Sequence, residues 1–482
     1  AQTSPQKIAL ITDERLLTYR EMDVEAQALA EAMQGSDFLI QRGMHIAILG
    51  GSTIETVLIL FALIRIGAVL VPVNTRLTAE ELRYQLVQVT CDLLLVDELS
   101  FGSLAKEINA PGTRMIAYSN LFTSERAPVE ARYEVDLAAP LAIIFTSGTS
   151  GRPKGAVLTA GNFYTSAMAS AYHLGHQPED RWLCVLPLYH VGGLSIIMRA
   201  VLYGITVDLL PRFDLDEVNQ VLDTQPITLI SLVPTMLHRL LETRTDWPES
   251  LRLILLGGAA ATPELLARCR AMNLPVATTY GLTEAASQVA TMRPDDVARK
   301  PGSVGEPLLF TNIRIVNKDG EPAEPGEYGE IVVSGPTVMQ GYYNDPDATA
   351  RTLQNGELHT GDIGYLDEDS DLWVVQRRSD LIITGGENVY PAEVEQVLRQ
   401  HPSVADVCVV GLRDADWGQR VAAAVVLEVG VTLTEDELLA FGRSHLAGYK
   451  LPRTFRFVKA LPQTASGKIQ RAAVKALLAG EV

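Results

Sequence analysis

From Met44 onward, short apolar runs alternate with amphipathic segments, and this alternation limits the folds open to the chain more than any other feature. Met44 to Leu49 reads as a strand, Thr53 to Ile66 as a helix and Val69 to Val73 as a second strand, a strand–helix–strand unit. The runs Ala142 to Phe145, Leu183 to Leu186, Thr206 to Leu210, Leu229 to Leu232 and Leu253 to Leu256 repeat the pattern, each near a helical segment. Strands that are apolar on both faces belong inside a layered sheet. The runs therefore predict a large α/β domain of stacked, mostly parallel sheets covered by helices.

After Pro301 the texture changes. Turns such as Asp319-Gly320 and Glu324-Pro325-Gly326 separate short alternating strands, among them Ile313 to Val316 and Glu330 to Ser334, so a β-rich subdomain is expected over residues 301–378. The charged stretch Gln376-Arg377-Arg378-Ser379-Asp380 suits a hinge. Beyond it, a helix at Pro391 to Gln400, strands near Val404 to Val410 and Val421 to Glu428, and a helix at Glu435 to His445 make a small α+β domain. With 482 residues the chain exceeds what one core usually supports, and the expected division is 1–378 and 379–482.

The formal charge of −18 disfavours a protein that grips nucleic acid. Cys91, Cys184, Cys269 and Cys408 form no CxxC pair and sit near no histidine at zinc-finger spacing, so a reducing, cytoplasmic setting is expected. The apolar stretch Val57 to Val73 is broken by Arg65 and Pro72, and no membrane span is expected. The first residues show neither a basic region nor an apolar one that would mark a signal peptide. A homo-oligomer stays open.

The segment Thr146-Ser147-Gly148-Thr149-Ser150-Gly151-Arg152-Pro153-Lys154-Gly155 follows the run Ala142 to Phe145 directly. Its glycines let backbone approach an anion, its hydroxyls can donate to phosphate oxygens, and Lys154 adds positive charge, so a polyphosphate is the natural ligand. It does not carry Walker A spacing. By composition alone it could equally be a surface turn.

The order of residues in that loop resembles the phosphate loop of the adenylate-forming superfamily, which includes acyl-CoA synthetases, peptide-synthetase adenylation domains and luciferases. Tyr280-Gly281-Leu282-Thr283-Glu284 is similar to that family's adenine and magnesium motif, and Thr360-Gly361-Asp362 to its ribose motif. Arg377, Asp380 and Gly385-Gly386-Glu387-Asn388 resemble the hinge, and Pro462 to Lys468 the C-terminal lysine motif. The matches keep the family's order from about Leu17 to Lys468, nearly the whole chain.

The resemblance implies attack of a carboxylate on the α-phosphate of ATP, release of pyrophosphate, and then thioester formation with coenzyme A. Alignment and charge neutralisation would carry most of such catalysis. It implies that Lys154, Thr146, Ser147 and Thr149, with Gly148, Ser150 and Gly151, hold phosphates, and that Glu284 binds Mg²⁺. Tyr280, Gly281, Gly258 and Ala259 would meet the adenine, Thr283 the α-phosphate, and Asp362 and Arg377 the ribose. Lys468 would contact the carboxylate and α-phosphate during adenylation and withdraw as the small domain rotates about Ser379, where many relatives carry Asp or Lys. Taken singly, Glu284 reads as a solvated acid at a helix start, Asp362 as a turn residue and Arg377 as a surface cation.

Leu186 to Ser195, Arg199, Ile230 to Pro234, Leu255 to Ala259 and Ser287-Gln288 resemble more narrowly the o-succinylbenzoate–CoA ligase branch. That branch takes a small carboxylic acid bearing a second, aromatic carboxylate. Arg199 stands in an apolar run, so it needs a partner, either that second carboxylate or an acid elsewhere in the chain. Ser287 and Gln288 are further candidates for polar contacts. The resemblance puts His190 at the carboxylate entrance; alone it could be a satisfied helix-end histidine. An aryl or medium-chain acid, a carrier-protein acceptor and luciferase-like oxygen chemistry are the alternatives. Finally, Arg443 to Lys475 carries eight basic residues and no acidic one, a patch suited to ATP and CoA phosphates or simply to solvent.

Overall fold

The computed structural model describes residues 1–35, 37–77, 79–123, 134–146, 153–377, 382–384, 387–389, 391–414, 418–446, 448–463 and 468–480. The chain divides into two compact units. One comprises Ala1–Arg314, Val332–His359 and Asp367–Leu372, and the other Ile315–Ile331, Thr360–Leu366 and Trp373–Val482.

The first unit contains two large sheets. A nine-stranded sheet runs in the order Glu306–Pro307, Ser287–Met292, Val276–Leu282, Leu253–Leu256, Leu229–Leu232, Arg181–Cys184, Thr206–Leu209, Ile8–Ile11 and Leu16–Thr18. Its interior pairs are parallel and its edges antiparallel. A seven-stranded sheet follows the order Gly341–Tyr342, Lys154–Thr159, Pro140–Thr146, Val69–Pro72, His45–Leu49, Leu93–Val96 and Arg114–Ala117, parallel except where Lys154–Thr159 meets its two neighbours. Every residue of Val69–Pro72, Leu93–Val96, Leu229–Leu232 and Leu253–Leu256 is buried, which is why these strands read as apolar runs, interrupted only at Ser231, whose hydroxyl accepts from Trp182 Nε1 at 3.1 Å.

Two boundaries differ from the sequence reading for local reasons. Thr53 is not helical but caps the helix Ile54–Ile66, its hydroxyl accepting from the Thr56 N–H, and Gly67 ends that helix in the left-handed region at φ 77°. The strand expected at Leu183 to Leu186 spans Arg181–Cys184 instead. Its charged first residue joins the ladder because Asp208 on the neighbouring strand accepts from it, Nη2 to Oδ1 2.6 Å.

The segment after Pro301 forms a five-stranded sheet in the order Asn312–Val316, Gly329–Ser334, Glu357–Leu366 and Leu353–Gln354, with Leu372–Arg377 beside Glu357–Leu366. The second unit also holds a small sheet of Glu387–Val389, Ile382–Thr384, Gly418–Leu427, Val404–Asp414 and Thr454–Phe457, packed by the helices Pro391–Arg399, Glu435–Arg443 and Arg471–Ala479. Buried Glu395 ties this unit together: it accepts from Val409 N–H at 2.8 Å and from Arg471 Nη2 at 3.0 Å. Among the described residues no helix is long and apolar enough to cross a membrane.

Candidate active site

The strands Pro140–Thr146 and Lys154–Thr159 are antiparallel, with Thr146 opposite Lys154, so these two residues are the facing ends of the glycine-rich loop. Ser147, Gly148, Thr149, Ser150 and Gly151 lie outside the described residues. The Thr146 hydroxyl is buried and has no hydrogen-bond partner among the described residues, an orphan that a phosphate oxygen would satisfy. Gly155 lets the hairpin close against its neighbour, since a Cβ there would lie 2.6 Å from Ile143 Cγ2.

Glu284 lies in the single 3₁₀ turn Thr283–Ala285 between the strands Val276–Leu282 and Ser287–Met292. The chain reverses there through Ala286 and Ser287, both in the positive-φ region at 50° and 96°. The reversal brings the Ser287 carbonyl so near Gly281 that a Cβ on Gly281 would sit 2.0 Å from it. Only glycine fits that place.

The structure adds Tyr342, which the sequence reading had not singled out. Its hydroxyl donates to Glu284 Oε1 at 2.8 Å, and the Lys154 ammonium lies 5.2 Å from its ring centroid. Met339 N–H donates to the Glu284 carbonyl at 2.9 Å, Gln340 N–H to Val157 O at 2.9 Å and Tyr343 N–H to Gly155 O at 2.8 Å, so one segment binds both the Glu284 turn and the Lys154 strand. Burial first, and then the Glu284 carboxylate, push the Tyr342 phenol well above its usual range. An orphan hydroxyl and a lysine at the facing ends of two paired strands, and a hard carboxylate on the turn, form a donor set that fits a magnesium nucleoside triphosphate. A glycine followed by two tyrosines was the only sequence signal for Tyr342, and it carries no chemistry until the pairing is known.

Tyr280 is buried and stands opposite Ala290. Gly258 (φ 81°) and exposed Ala259 follow the strand Leu253–Leu256, where a Cβ on Gly257 would lie 2.7 Å from Thr279 Cγ2. In the second unit, buried Asp362 lies in Glu357–Leu366 just after Gly361 (φ 72°), its N–H donating to Thr360 Oγ1 at 3.0 Å. Arg377 ends the strand Leu372–Arg377. Lys468 is exposed beside the bridge between Gln463 and Ile469, and Ser379 lies outside the described residues.

A second polar cluster lies in the first unit, where the helices Ala160–Leu174 and Val191–Tyr203 pack on each other and on Ser287–Met292. Arg199 is 2% exposed, and its Nη2 donates to Ser166 Oγ at 3.2 Å. Among the described residues its Nε has no acceptor and no carboxylate pairs with it. Burial pushes its pKa below the usual arginine range, with Tyr203 opposing. Buried Gln288 donates to Thr291 Oγ1 at 3.1 Å, and among the described residues neither its Oε1 nor the buried Ser195 Oγ, one turn before Arg199, has a hydrogen-bond partner. Ser287 is half-buried. His190 is exposed at the N-terminus of Val191–Tyr203, its ring edge-on to Tyr189 at 4.6 Å. The sequence reading missed Ser166 and Ser195. The four-residue spacing of Ser195 and Arg199 puts both on one helix face and could have flagged the first.

The AMP-binding enzyme family profile matches residues 1–343, and that of the AMP-binding enzyme C-terminal domain matches residues 393–468. A 2-succinylbenzoate–CoA ligase of Bacillus cereus is 41% identical over 483 residues, covering 98% of this chain and 96% of the relative. Among solved structures, o-succinylbenzoate coenzyme A synthetase of Bacillus subtilis in complex with ATP and magnesium ion has a TM-score of 0.91 at 40% identity, covering 98% of each chain. The same enzyme in complex with its acyl-adenylate intermediate has a TM-score of 0.90 at 39% identity, covering 98% of this chain and 96% of that one. These likenesses establish that the chain belongs to the AMP-binding enzyme family.

Proposed function

We propose that the chain is an ATP-dependent, AMP-forming acid–CoA ligase whose acid is 2-succinylbenzoate, the step that such ligases perform in menaquinone biosynthesis. Arg199 carries the choice of acid. A buried guanidinium without a carboxylate partner costs several kcal/mol, of the order of a buried unpaired ion. A ligand that brings its own carboxylate removes that cost. The substrate has two carboxylates, and the aromatic one is free to meet Arg199 while the succinyl one reacts.

In the first half-reaction a carboxylate oxygen bonds to the α-phosphorus of ATP as the bond to the β-phosphate oxygen breaks, and pyrophosphate leaves. In the second, the coenzyme A sulfur bonds to the acyl carbon, AMP leaves and the thiol proton is released. Lys154 and Thr146 orient the phosphates, as do Ser147, Gly148, Thr149, Ser150 and Gly151 by their place in the motif. Thr283 donates to the α-phosphate. Glu284 would hold Mg²⁺, which supplies neutralisation of phosphate charge. Tyr280, Gly281, Gly258 and Ala259 take the adenine, and Asp362 and Arg377 the ribose. His190 orients the reacting carboxylate, Ser287 and Gln288 contact the acid, and Lys468 supplies the cation for adenylation. Residues 379–482 form the mobile lid, pivoting at Ser379, on a platform of 1–378. We place the reaction in the cytoplasm, a reading supported by four buried cysteines outside any disulfide and by the need for ATP and CoA.

The test is pyrophosphate release over a panel of acids with free CoA. 2-Succinylbenzoate should exceed benzoates and fatty acids in kcat/KM by at least tenfold. Equal rates across the panel would overturn the choice of acid.

A further inference from the structure

Lys154 and Glu284 bear opposite charges, yet they do not pair with each other. Tyr342 stands between them, taking the carboxylate on its hydroxyl and the ammonium on its ring face. Its backbone is fixed from two sides. It pairs with Ala156 in the ladder, and its N–H donates to Thr349 Oγ1 at 2.9 Å. Gly341 before it, at φ 145°, would bring a Cβ to 2.8 Å from Thr349 Cγ2, so the close approach to the helix Pro346–Thr352 needs glycine.

We propose that Tyr342 is a positioning residue for nucleotide binding, one that keeps the metal-side carboxylate and the phosphate-side cation apart and each aimed at its own ligand. The proposal rests on the reading of Glu284 and Lys154 given above. A direct lysine–glutamate pair would neutralise both groups and would have to break before magnesium and phosphate could bind. The tyrosine avoids that state. Its hydroxyl orients one carboxylate oxygen by donation, and its ring holds the ammonium through an attraction that leaves the N–H donors available.

The two contacts separate by substitution. Tyr342→Phe keeps the ring and removes the donor; Tyr342→Leu removes both. Isothermal titration with ATP, with and without Mg²⁺, is combined with the Mg²⁺ dependence of pyrophosphate release and the KM for the acid. Tyr342→Phe should raise the Mg²⁺ half-saturation roughly tenfold, the scale of a hydrogen bond to a charged group. It should leave Mg²⁺-free ATP affinity and the acid KM within about twofold. Tyr342→Leu should further weaken Mg²⁺-free ATP binding about threefold or more, the scale of a cation–π contact. A Tyr342→Phe enzyme with unaltered Mg²⁺ dependence, or with acid KM disturbed as much as Mg²⁺ dependence, overturns the proposal. Glu284→Gln tells its failure from that of the underlying reading. If Glu284→Gln shifts Mg²⁺ dependence and Tyr342→Phe does not, the positioning role alone falls; if Glu284→Gln also leaves it unchanged, the metal reading falls as well.

Discussion

The guanidinium of Arg199 donates to the Ser166 hydroxyl at 3.2 Å, and that hydroxyl donates onward to the carbonyl of Ala286 at 2.8 Å. Ala286 follows the Glu284 turn directly, so the chain of bonds links the buried cation to the backbone of that turn. Arg199 is thereby held in place without being neutralised.

Replacing that cation should separate function from stability. Arg199→Met should raise the KM for 2-succinylbenzoate about 10- to 100-fold, as expected for loss of a charge-assisted hydrogen bond, while a monocarboxylate surrogate is little affected. The same variant should melt no lower than the parent, because a buried unpaired charge is exchanged for an apolar side chain of similar length. Steady-state kinetics with both acids and a thermal melt check the two halves. A lower melting temperature with unchanged selectivity would mean that Arg199 is structural.

The half-reactions should respond differently to loss of Lys468. A cation at the α-phosphate stabilises charge that develops during adenylation and has no counterpart in thiol attack on the finished adenylate. Lys468→Ala should slow adenylate formation by about 10²-fold or more and leave conversion of supplied acyl-adenylate to thioester within about threefold. Single-turnover assays of each step distinguish this from a uniform loss.

Gly281 tests the geometry of the Glu284 turn. With the Ser287 carbonyl 2.0 Å from where a Cβ would lie, Gly281→Ala must push the two strands apart at their turn. A cost of about 1–3 kcal/mol is expected, as for other overpacked sites. Urea unfolding should show it, together with weakened ATP binding, because Glu284 moves with the turn.

Acid stability should depend on Asp180, whose carboxylate accepts from Arg252 Nε at 2.8 Å, Thr228 Oγ1 at 2.9 Å and Gln177 N–H at 2.7 Å. Burial alone would raise its pKa. Arg252 and the two other donors outweigh burial and hold it below the usual aspartate range. Its folded-state pKa is therefore lower than its unfolded one. The stabilisation is fully present above the unfolded value, about 4, and is lost as pH falls through the folded value. Asp180→Asn should lower stability at neutral pH by about 1.5–3 kcal/mol and flatten the decline below about pH 4. Unfolding curves from pH 3 to 7 provide the check.

Much of the architecture could be read from local pattern. Leu229–Leu232 and Leu253–Leu256 are strands at the residues where the apolar runs lie, because a strand buried on both faces carries mainly apolar side chains. The readings slipped where a polar residue was satisfied by a distant partner, as at Arg181, whose place in the ladder depends on Asp208 twenty-seven residues later. The glycine-rich loop was legible where it leaves a strand, but that Thr146 faces Lys154 depends on the antiparallel pairing of Pro140–Thr146 with Lys154–Thr159. The Glu284 turn was visible as a motif, but the tyrosine that meets it was not.

The sequence by itself determined the family motifs, their order and the layered α/β plan, since these rest on residue type and short-range periodicity. Whether buried Arg199 had an acid partner depended on which side chains from distant segments converged on it, and Ser166, thirty-three residues away, turned out to meet it. Likewise Tyr342 reaches Glu284 across fifty-eight residues only because the edge strand Gly341–Tyr342 pairs with the strand carrying Lys154. Such pairings are set by sheet order and register, which local sequence does not encode, and it is there that the tertiary structure decided the chemistry of the two sites.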